Sequence, residues 1–401
     1  MEEWKEYRYT DLATIIGGGT PKTSVPEYWS GEIPWLSVKD FVSVTKYVYD
    51  TEKHISELGL LNSSTKLLEK NDIVISARGT VGAMAMIPYP MCFNQSCFGL
   101  RGNNIVDKNF LYYLTRTKVD ELKKTAHGSV FDTITRETFD NLRCLVPPLQ
   151  TQQKIGNILS SLDSKIELNK RINDNLEQQA QALFKSWFVN FEPFKNGQFV
   201  DSELGKIPKG WKVGYLSEIA DIIMGQSPNG STYNENGEGI IFYQGRAEFG
   251  TRFPSIRLFT TNPTRIAPAN SILISVRAPV GDINITHKEC CIGRGLASAV
   301  SRTNKSAFLL YTLFSLKSDL DRFNAEGTVF GSINRKTLES LKILIPTNDI
   351  ISKFEAIVAS MDQQILTLHL ESENLKILRD TLLPKLMSGE RSVIHKENND
   401  D

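Results

Sequence analysis

The chain is written twice. Leu12-Ala13-x-Ile15-Ile16-x-Gly18 near the start returns as Ile219-Ala220-x-Ile222-Ile223-x-Gly225, and Gly19-Thr20-Pro21 is followed in kind by Gln226-Ser227-Pro228. Ile73-Val74-Ile75-Ser76-Ala77-Arg78-Gly79-Thr80-Val81-Gly82 matches Ile272-Leu273-Ile274-Ser275-Val276-Arg277-Ala278-Pro279-Val280-Gly281. Gly128-Ser129-Val130-Phe131-x-Thr133-Ile134 matches Gly327-Thr328-Val329-Phe330-x-Ser332-Ile333, and Leu145-Val146-Pro147 matches Leu344-Ile345-Pro346. Four matches in one order, at an offset near 199, describe a duplicated unit rather than chance. Whatever one half folds into, the other must fold into as well.

Each half has two parts. The first is punctuated by Gly and Pro and holds short β-type runs such as 72–76 and 271–275, with helical stretches such as 109–124. The second carries a seven-residue repeat. Ile155, Leu159, Leu162, Ile166, Asn169, Asn173, Leu176, Ala180 and Leu183 recur at steps of four and three, as do Phe354, Val358, Met361, Ile365, Leu368, Ser372, Leu375 and Leu382, with Arg379 as a charged interruption. That spacing is a coiled-coil seam, in which polar Asn169, Asn173 and Ser372 fix register. Leu383-Pro384 and Ser388-Gly389 are expected to stop the second helix.

The expected fold class is therefore α+β. Two similar sheet-rich α/β heads are joined by two long helices that form an antiparallel coiled coil with pseudo-two-fold symmetry. The expected boundaries are 1–149 for the first head, 150–190 for the central helix, 191–347 for a linker and the second head, 348–391 for the distal helix, and 392–401 for a flexible acidic tail. About 35 helical residues would make a rod of roughly 50 Å, against 34–36 Å for one turn of DNA.

The chemistry is legible mainly by exclusion. No GxxxxGK[ST], GxGxxG, HExxH or GxSxG occurs, and the five histidines hold no repeated position. The five cysteines, Cys92, Cys97, Cys144, Cys290 and Cys291, form no CxxC pair, so buried thiols in a reducing compartment are expected rather than zinc. No apolar run approaches a membrane span and the charged N-terminus has no apolar leader core, so the expected location is the cytoplasm. A binding protein is favoured over an enzyme, with no catalytic residue and no metal ligand assigned.

What the duplication keeps is polar and basic loop material beside glycine. Arg78 and Arg277 leave a buried strand for a Gly-rich turn, a placement that suits phosphate or guanine contact, and equally a local ion pair. The candidate DNA-contacting residues are Lys22, Arg78, Gln95, Arg101, Ser129 and Arg136 in the first half. In the second they are Gln226, Gln244, Arg246, Arg252, Arg277, Arg294, Thr328 and Arg335. Asn94-Gln95-Ser96 stands where the second half has Gly293-Arg294-Gly295. Gln and Asn read adenine edges and Arg reads guanine, so one scaffold with two reading surfaces implies a split, asymmetric target. Phe184, Trp187, Phe188 and Phe191, with Phe194, form an aromatic cluster after the first helix. Leu383, Pro384 and Leu386 stand in the equivalent place after the second. They either pack the head-to-helix junction or dock a partner.

At this point the residues resemble a known family. Gly18-Gly19-Thr20-Pro21-Lys22, Pro147-Pro148-Leu149-x-x-Gln152, Ala182-Leu183-Phe184-Lys185-Ser186-Trp187-Phe188, Gly205-Lys206-Ile207-Pro208-Lys209-Gly210-Trp211 and Leu382-Leu383-Pro384-Lys385-Leu386-Met387-Ser388-Gly389 are similar to the motifs of type I restriction-modification specificity subunits. The resemblance runs the whole length, though the second head lacks a Lys after Ser227-Pro228 and a second proline after Pro346. It implies two target-recognition domains on double-stranded DNA and a helical spacer. It also implies assembly with two DNA adenine methyltransferase subunits and, through them, two restriction subunits. S-adenosylmethionine, ATP and Mg are then expected on those partners and no cofactor here. The competing readings are a coiled-coil adaptor without a DNA role and a two-lobed hydrolase.

Zero net charge sits awkwardly with nucleic-acid binding until it is apportioned. Residues 201–347 carry 17 basic against 13 acidic groups, while residues 348–401 carry 6 against 10. Nonspecific affinity scales with phosphates neutralised. A chain with one mildly basic head is expected to bind DNA weakly alone, with much of the electrostatic grip on its partners.

Overall fold

A computed structural model describes residues 4–42, 45–127, 133–324 and 331–393. The chain divides into two compact units. One comprises Met1–Arg171 with His369–Asp401, the other Ile172–Leu368. Each unit therefore holds one head and a stretch of each long helix.

The first head is built on an antiparallel four-stranded sheet in the order Ala13–Gly17, Cys97–Gly102, Ile73–Ser76, Met84–Met86. The second repeats that order with Ala220–Met224, Leu296–Ser301, Ile272–Ser275 and Ile283–Ile285. The register is duplicated too: Ile75 faces Phe98, and Ile274 faces Ala297. Ile73–Ser76 and Ile272–Ser275 are buried along their whole length, which accounts for uninterrupted apolar runs rather than alternation.

Beside this sheet lies a second one with a parallel pair, Ile33–Leu36 against Cys92–Phe93 in the first head and Ile240–Tyr243 against Cys290–Ile292 in the second. There the halves diverge, with three strands in one and five in the other. Each head is closed by pairing its ends. Lys5–Arg8 runs antiparallel to Arg143–Val146, and Lys212–Tyr215 to Lys342–Ile345. The proline-terminated strands of the sequence are thus the last rungs before the helices begin.

The long helices span Leu149–Phe184 and Asn348–Met387. In the first unit Asn169 Nδ2 donates to Ser372 Oγ at 3.2 Å and Arg379 reaches Asp163. In the second unit Asn173 Nδ2 donates to the Ile365 carbonyl at 3.2 Å, and Phe184 packs on Phe354. Residue numbers fall on one helix as they rise on the other, so the segments are antiparallel in both units. The polar seam residues hydrogen-bond across the seam, as register-setting groups should.

One expectation changes here. The second helix runs through Pro384, which sits in its last turn, and ends at Met387, with Gly389 just beyond it at a φ of +76°. Only the Ser388-Gly389 part of the expected stop therefore operates, glycine supplying the left-handed conformation that ends a helix. The first helix passes at Lys185–Val189 into a π-helical turn.

The aromatic cluster is core. Phe184 and Phe188 are buried in the second unit with Phe308, Tyr311 and Phe354, while Trp187, Phe191 and Phe194 pack against that cluster around Trp211. Leu383 and Leu386 are buried in the first unit's core, leaving only Pro384 of that set exposed. The packing of Phe184, Phe188, Leu383 and Leu386 supports the junction alternative for those four side chains. Helix-end rings become junction packing because each head supplies the apolar wall that covers them.

Candidate nucleic-acid interface

One edge of each head gathers three loops. The Ile73–Ser76 strand delivers Arg78. The Ala77 N–H donates to the Ser96 carbonyl at 2.8 Å, tying the arginine loop to Asn94-Gln95-Ser96. The Gly19 N–H donates to the Phe93 carbonyl at 3.0 Å, bringing in the Gly17–Lys22 loop, and the Thr20 hydroxyl donates to Gln95. The second head repeats the construction. The Val276 N–H donates to the Gly295 carbonyl at 2.9 Å, and the Arg294 N–H to Ser227 Oγ at 3.3 Å. Gly18 and Gly225 are forced by proximity. A Cβ there would lie 2.0 Å from the Asn94 carbonyl oxygen or 2.1 Å from that of Gly293.

Arg78 lines an open cleft with Trp35, Lys39, Asp40, Lys53 and Asn94. Asp40 is spent on the loop itself, accepting from the Ser37 N–H at 2.6 Å and the Glu52 N–H at 2.9 Å. Glu248 plays the same part for Gly245 at 3.0 Å and also takes Arg257 at 3.1 Å. These acids shape the backbone and leave cations and amides to face solvent.

The expected DNA-contacting residues separate into three groups. Lys22, Arg78, Gln95, Gln226, Gln244, Arg277 and Arg294 are exposed on these loops. Arg78, Arg277 and Arg294 have no side-chain partner among the described residues. Arg136 and Arg335 are exposed on short helices, Arg335 bonded to Glu339 at 2.8 Å, and Arg246 is paired with Asp282. Burial pushes the Asp282 carboxyl up, but Arg246 and Lys317 outweigh it and hold it below its usual range.

Arg101 and Arg252 form the second group, and both differ from expectation. Arg101 is held between Glu69 at 2.8 Å and buried Asp72 at 2.7 Å. Arg252 is only 8% exposed, paired with Asp362 at 2.5 Å and with Glu177. Both guanidiniums are consumed within the protein: Arg101 answers the buried Asp72 carboxylate, and the buried Arg252 guanidinium is answered by Asp362 and Glu177. Ser129 and Thr328 make up the third group, lying outside the described residues.

A duplicated joint lies outside the residues singled out by the sequence motifs. Tyr113 Oη donates to Asp163 at 2.5 Å, and Tyr311 Oη to Asp362 at 2.9 Å. Beside each pair lies a buried loop cation. The Lys46 carbonyl accepts from the Met86 N–H at 2.7 Å, and the Arg252 carbonyl from the Ile285 N–H at 2.9 Å, so the two cations occupy equivalent positions. Lys46 Nζ stands 5.0 Å over the Tyr113 ring, bonded to Asn109 and Ser160, and burial lowers its pKa to about 8. Asp163 and Asp362 are identical residues 199 apart, a signal present in the sequence.

All five cysteines are buried and free, and burial pushes Cys92 and Cys144 up to about 11 and Cys97 and Cys290 to about 12. These are packing thiols, not reactive thiolates. No helix among the described residues is long and apolar enough to cross a membrane.

Comparison with known proteins agrees with this architecture. The chain is 30% identical to the MjaIX type I restriction enzyme specificity subunit of Methanocaldococcus jannaschii, covering 98% of this chain and 94% of that one. It is 35% identical to the putative MjaX specificity subunit of the same organism over 73% of this chain and 71% of the relative. The S subunit of a type I restriction-modification system from M. genitalium shares the fold at 18% identity, with a TM-score of 0.60 and 96% of each chain covered. The family model for the type I restriction modification DNA specificity domain matches residues 1–178 and again 208–377, one match for each half. By that double match and by whole-length likeness to its members, the chain belongs to the type I restriction-modification DNA specificity family.

Proposed function

We propose that this chain is the non-catalytic DNA-recognition subunit of a type I restriction-modification complex, each head reading one half of a bipartite, asymmetric target. The observation that carries this reading is the pair of equivalent loop edges on one scaffold. They carry Gln95 in the first head and Arg294 in the second. Equivalent loops on a shared sheet framework, carrying different edge-reading chemistry, are what two different half-sites require. The helices act as spacer and as the surface for two DNA adenine methyltransferase subunits, through which two restriction subunits join in the cytoplasm. S-adenosylmethionine, ATP and Mg belong to those partners. Genome-wide mapping of methylated adenines in cells carrying the full system tests the proposal. A two-part motif with a fixed gap, lost when this chain is deleted, is expected. A continuous motif, or methylation indifferent to this chain, overturns it in favour of an adaptor without a DNA role.

A further inference from the structure

In each head a loop runs from the candidate DNA edge to the tyrosine–aspartate joint on the long helices. In the second head it leaves Ile240–Tyr243 at Gln244 and returns to Leu258–Thr260. Its base lies against the Arg294 loop. The Gly293 N–H donates to the Tyr243 carbonyl at 2.8 Å, and a Cβ on Gly293 would stand 2.5 Å from the Gln244 carbonyl oxygen. Gln244, Arg246 and Arg257 are exposed at this base. Further on the chain turns inward. Asn284 clamps Gly250, its Oδ1 accepting from the Gly250 N–H at 3.0 Å and its Nδ2 donating to the carbonyl at 3.1 Å. Arg252 then enters the joint, where Nη1 donates to Tyr311 Oη at 3.2 Å and Nη2 to Asp362 at 2.5 Å, with Glu177 facing the same guanidinium.

The first head repeats the path. Its loop leaves Ile33–Leu36 and returns to Lys53–Ile55, and both limbs line the cleft of Arg78, Lys39 on the outward limb and Glu52 and Lys53 on the return. Lys46 is the inward cation. The heads differ in the strands beside this loop, three against five, and in the cation itself, yet both keep the cation, the tyrosine and the aspartate. Fastening a loop does not require a buried charge. Backbone bonds to Met86 and Ile285 already hold it, and apolar replacement of buried ionic groups is often neutral or stabilising. What the charged contacts add is direction, because charge-assisted hydrogen bonds are short and geometrically specific.

We infer that Arg252 and Lys46 are positioning residues for base recognition: each fastens the loop beside its head's DNA edge to the long helix, and so fixes where that edge meets the bases. This rests on the reading that each head recognises one half-site. Neither cation touches DNA. Both act through exposed loop residues, Gln244 and Arg246 in the second head and Lys39 and Lys53 in the first. A side chain tells one base from another only while donor and acceptor stay within about 2.7–3.2 Å. A loop free to shift by roughly an ångström keeps its charge, and with it the attraction to phosphate, but loses its discrimination. The positioning role therefore separates selectivity from overall affinity.

Binding of the full chain, assembled with its methyltransferase, to the mapped target and to single-base variants of it tests the inference. Arg252→Met should cut discrimination in the second half-site by roughly five-fold or more, with the first half-site read as before. Affinity for unrelated DNA and the salt slope should not change. Arg252→Lys, which carries the cation type of the first head, should keep most of the discrimination. Lys46→Met should act in the same way on the first half-site alone. Arg252→Met leaves Asp362 and Glu177 without their cation and lowers stability, so Tyr311→Phe supplies a milder break, with a smaller loss in the same half-site. Ile343→Ala opens a cavity in the same unit's core and should lower the melting temperature while leaving base preference intact. Unchanged base preference in Arg252→Met and Tyr311→Phe, a loss in Arg252→Lys equal to that in Arg252→Met, or the same loss in Ile343→Ala overturns the positioning role. An unaltered complex that shows no half-site preference overturns the reading beneath it.

Discussion

Arg379 Nη1 lies 2.6 Å from Asp163 Oδ1, an ion pair in the first unit with both side chains nearly sealed from solvent. The seven-residue repeat marked Arg379 as a break in the apolar seam, and the structure shows the carboxylate that it answers. Asp163 also accepts from Tyr113, so the pair joins both helices to the head. Removing one member of a buried pair leaves the other uncompensated and costs roughly 3–5 kcal/mol, whereas apolar replacement of both is often nearly neutral. Arg379→Met should therefore lower the urea midpoint of the first unit strongly, and Asp163→Leu combined with Arg379→Met much less. A double variant as unstable as the sum of the singles contradicts the pairing.

Lys46 makes stability depend on pH in a specific direction. Its pKa in the folded chain is lowered to about 8, from an unfolded value of 10.5. Between those values the unfolded chain binds more protons than the folded one, so stability rises with pH across that window. The cost of burying the charge is present below pH 8 and is relieved as pH rises from about 8 to 10.5. Tyrosines and cysteines titrate nearby, so the measurement is a difference. Unfolding free energies of the wild-type chain and Lys46→Met at pH 7.5 and 10 should diverge by on the order of 2–3 kcal/mol, with wild type gaining on the variant as pH rises. Parallel profiles refute the assignment.

Much of this fold was legible because duplication supplies an internal comparison. The strand ending at Ser76 and Ser275, the closing strand at Val146 and Ile345, and both seams follow from matching the halves. What escaped notice depends on distant contacts. Lys46 and Arg252 are equivalent only through their bonds to Met86 and Ile285, and their separation of 206 residues hides them from a 199-residue offset. Arg101 and Arg252 read as DNA-facing until their acids appear across the fold. Phe188 was ambiguous because Phe308 and Phe354, which bury it, lie more than a hundred residues away.

Phe188→Ala separates junction packing from partner docking. Its ring lies 5.1 Å from Phe354 and 5.2 Å from Phe308 by centroid, deep in the second unit. Large-to-small changes at such sites cost about 3–5 kcal/mol. The second unit should melt earlier while the transition of the first is unmoved, as followed by calorimetry of the full chain. Below that melting point partner assembly should match that of the unaltered chain.

The loop arginines should act on one half-site each. Arg78 and Arg277 leave equivalent strands, and Arg294 stands where Gln95 does. Loss of a bidentate base contact costs roughly 1–3 kcal/mol, about 5- to 150-fold in affinity. Loss of a phosphate contact weakens all sequences alike and lowers the salt slope by about one. Arg294→Gln in the assembled complex should relax base preference in the second half-site alone, and Gln95→Arg in the first alone. Lys22→Ala should weaken binding evenly and reduce the salt dependence. Arg101→Ala should lower the stability of the first head without changing base preference, since its guanidinium serves Glu69 and Asp72. Binding to a panel of single-base variants of the mapped target, at two salt concentrations, distinguishes these outcomes. A change in both half-sites from one loop variant contradicts the division of reading between the heads.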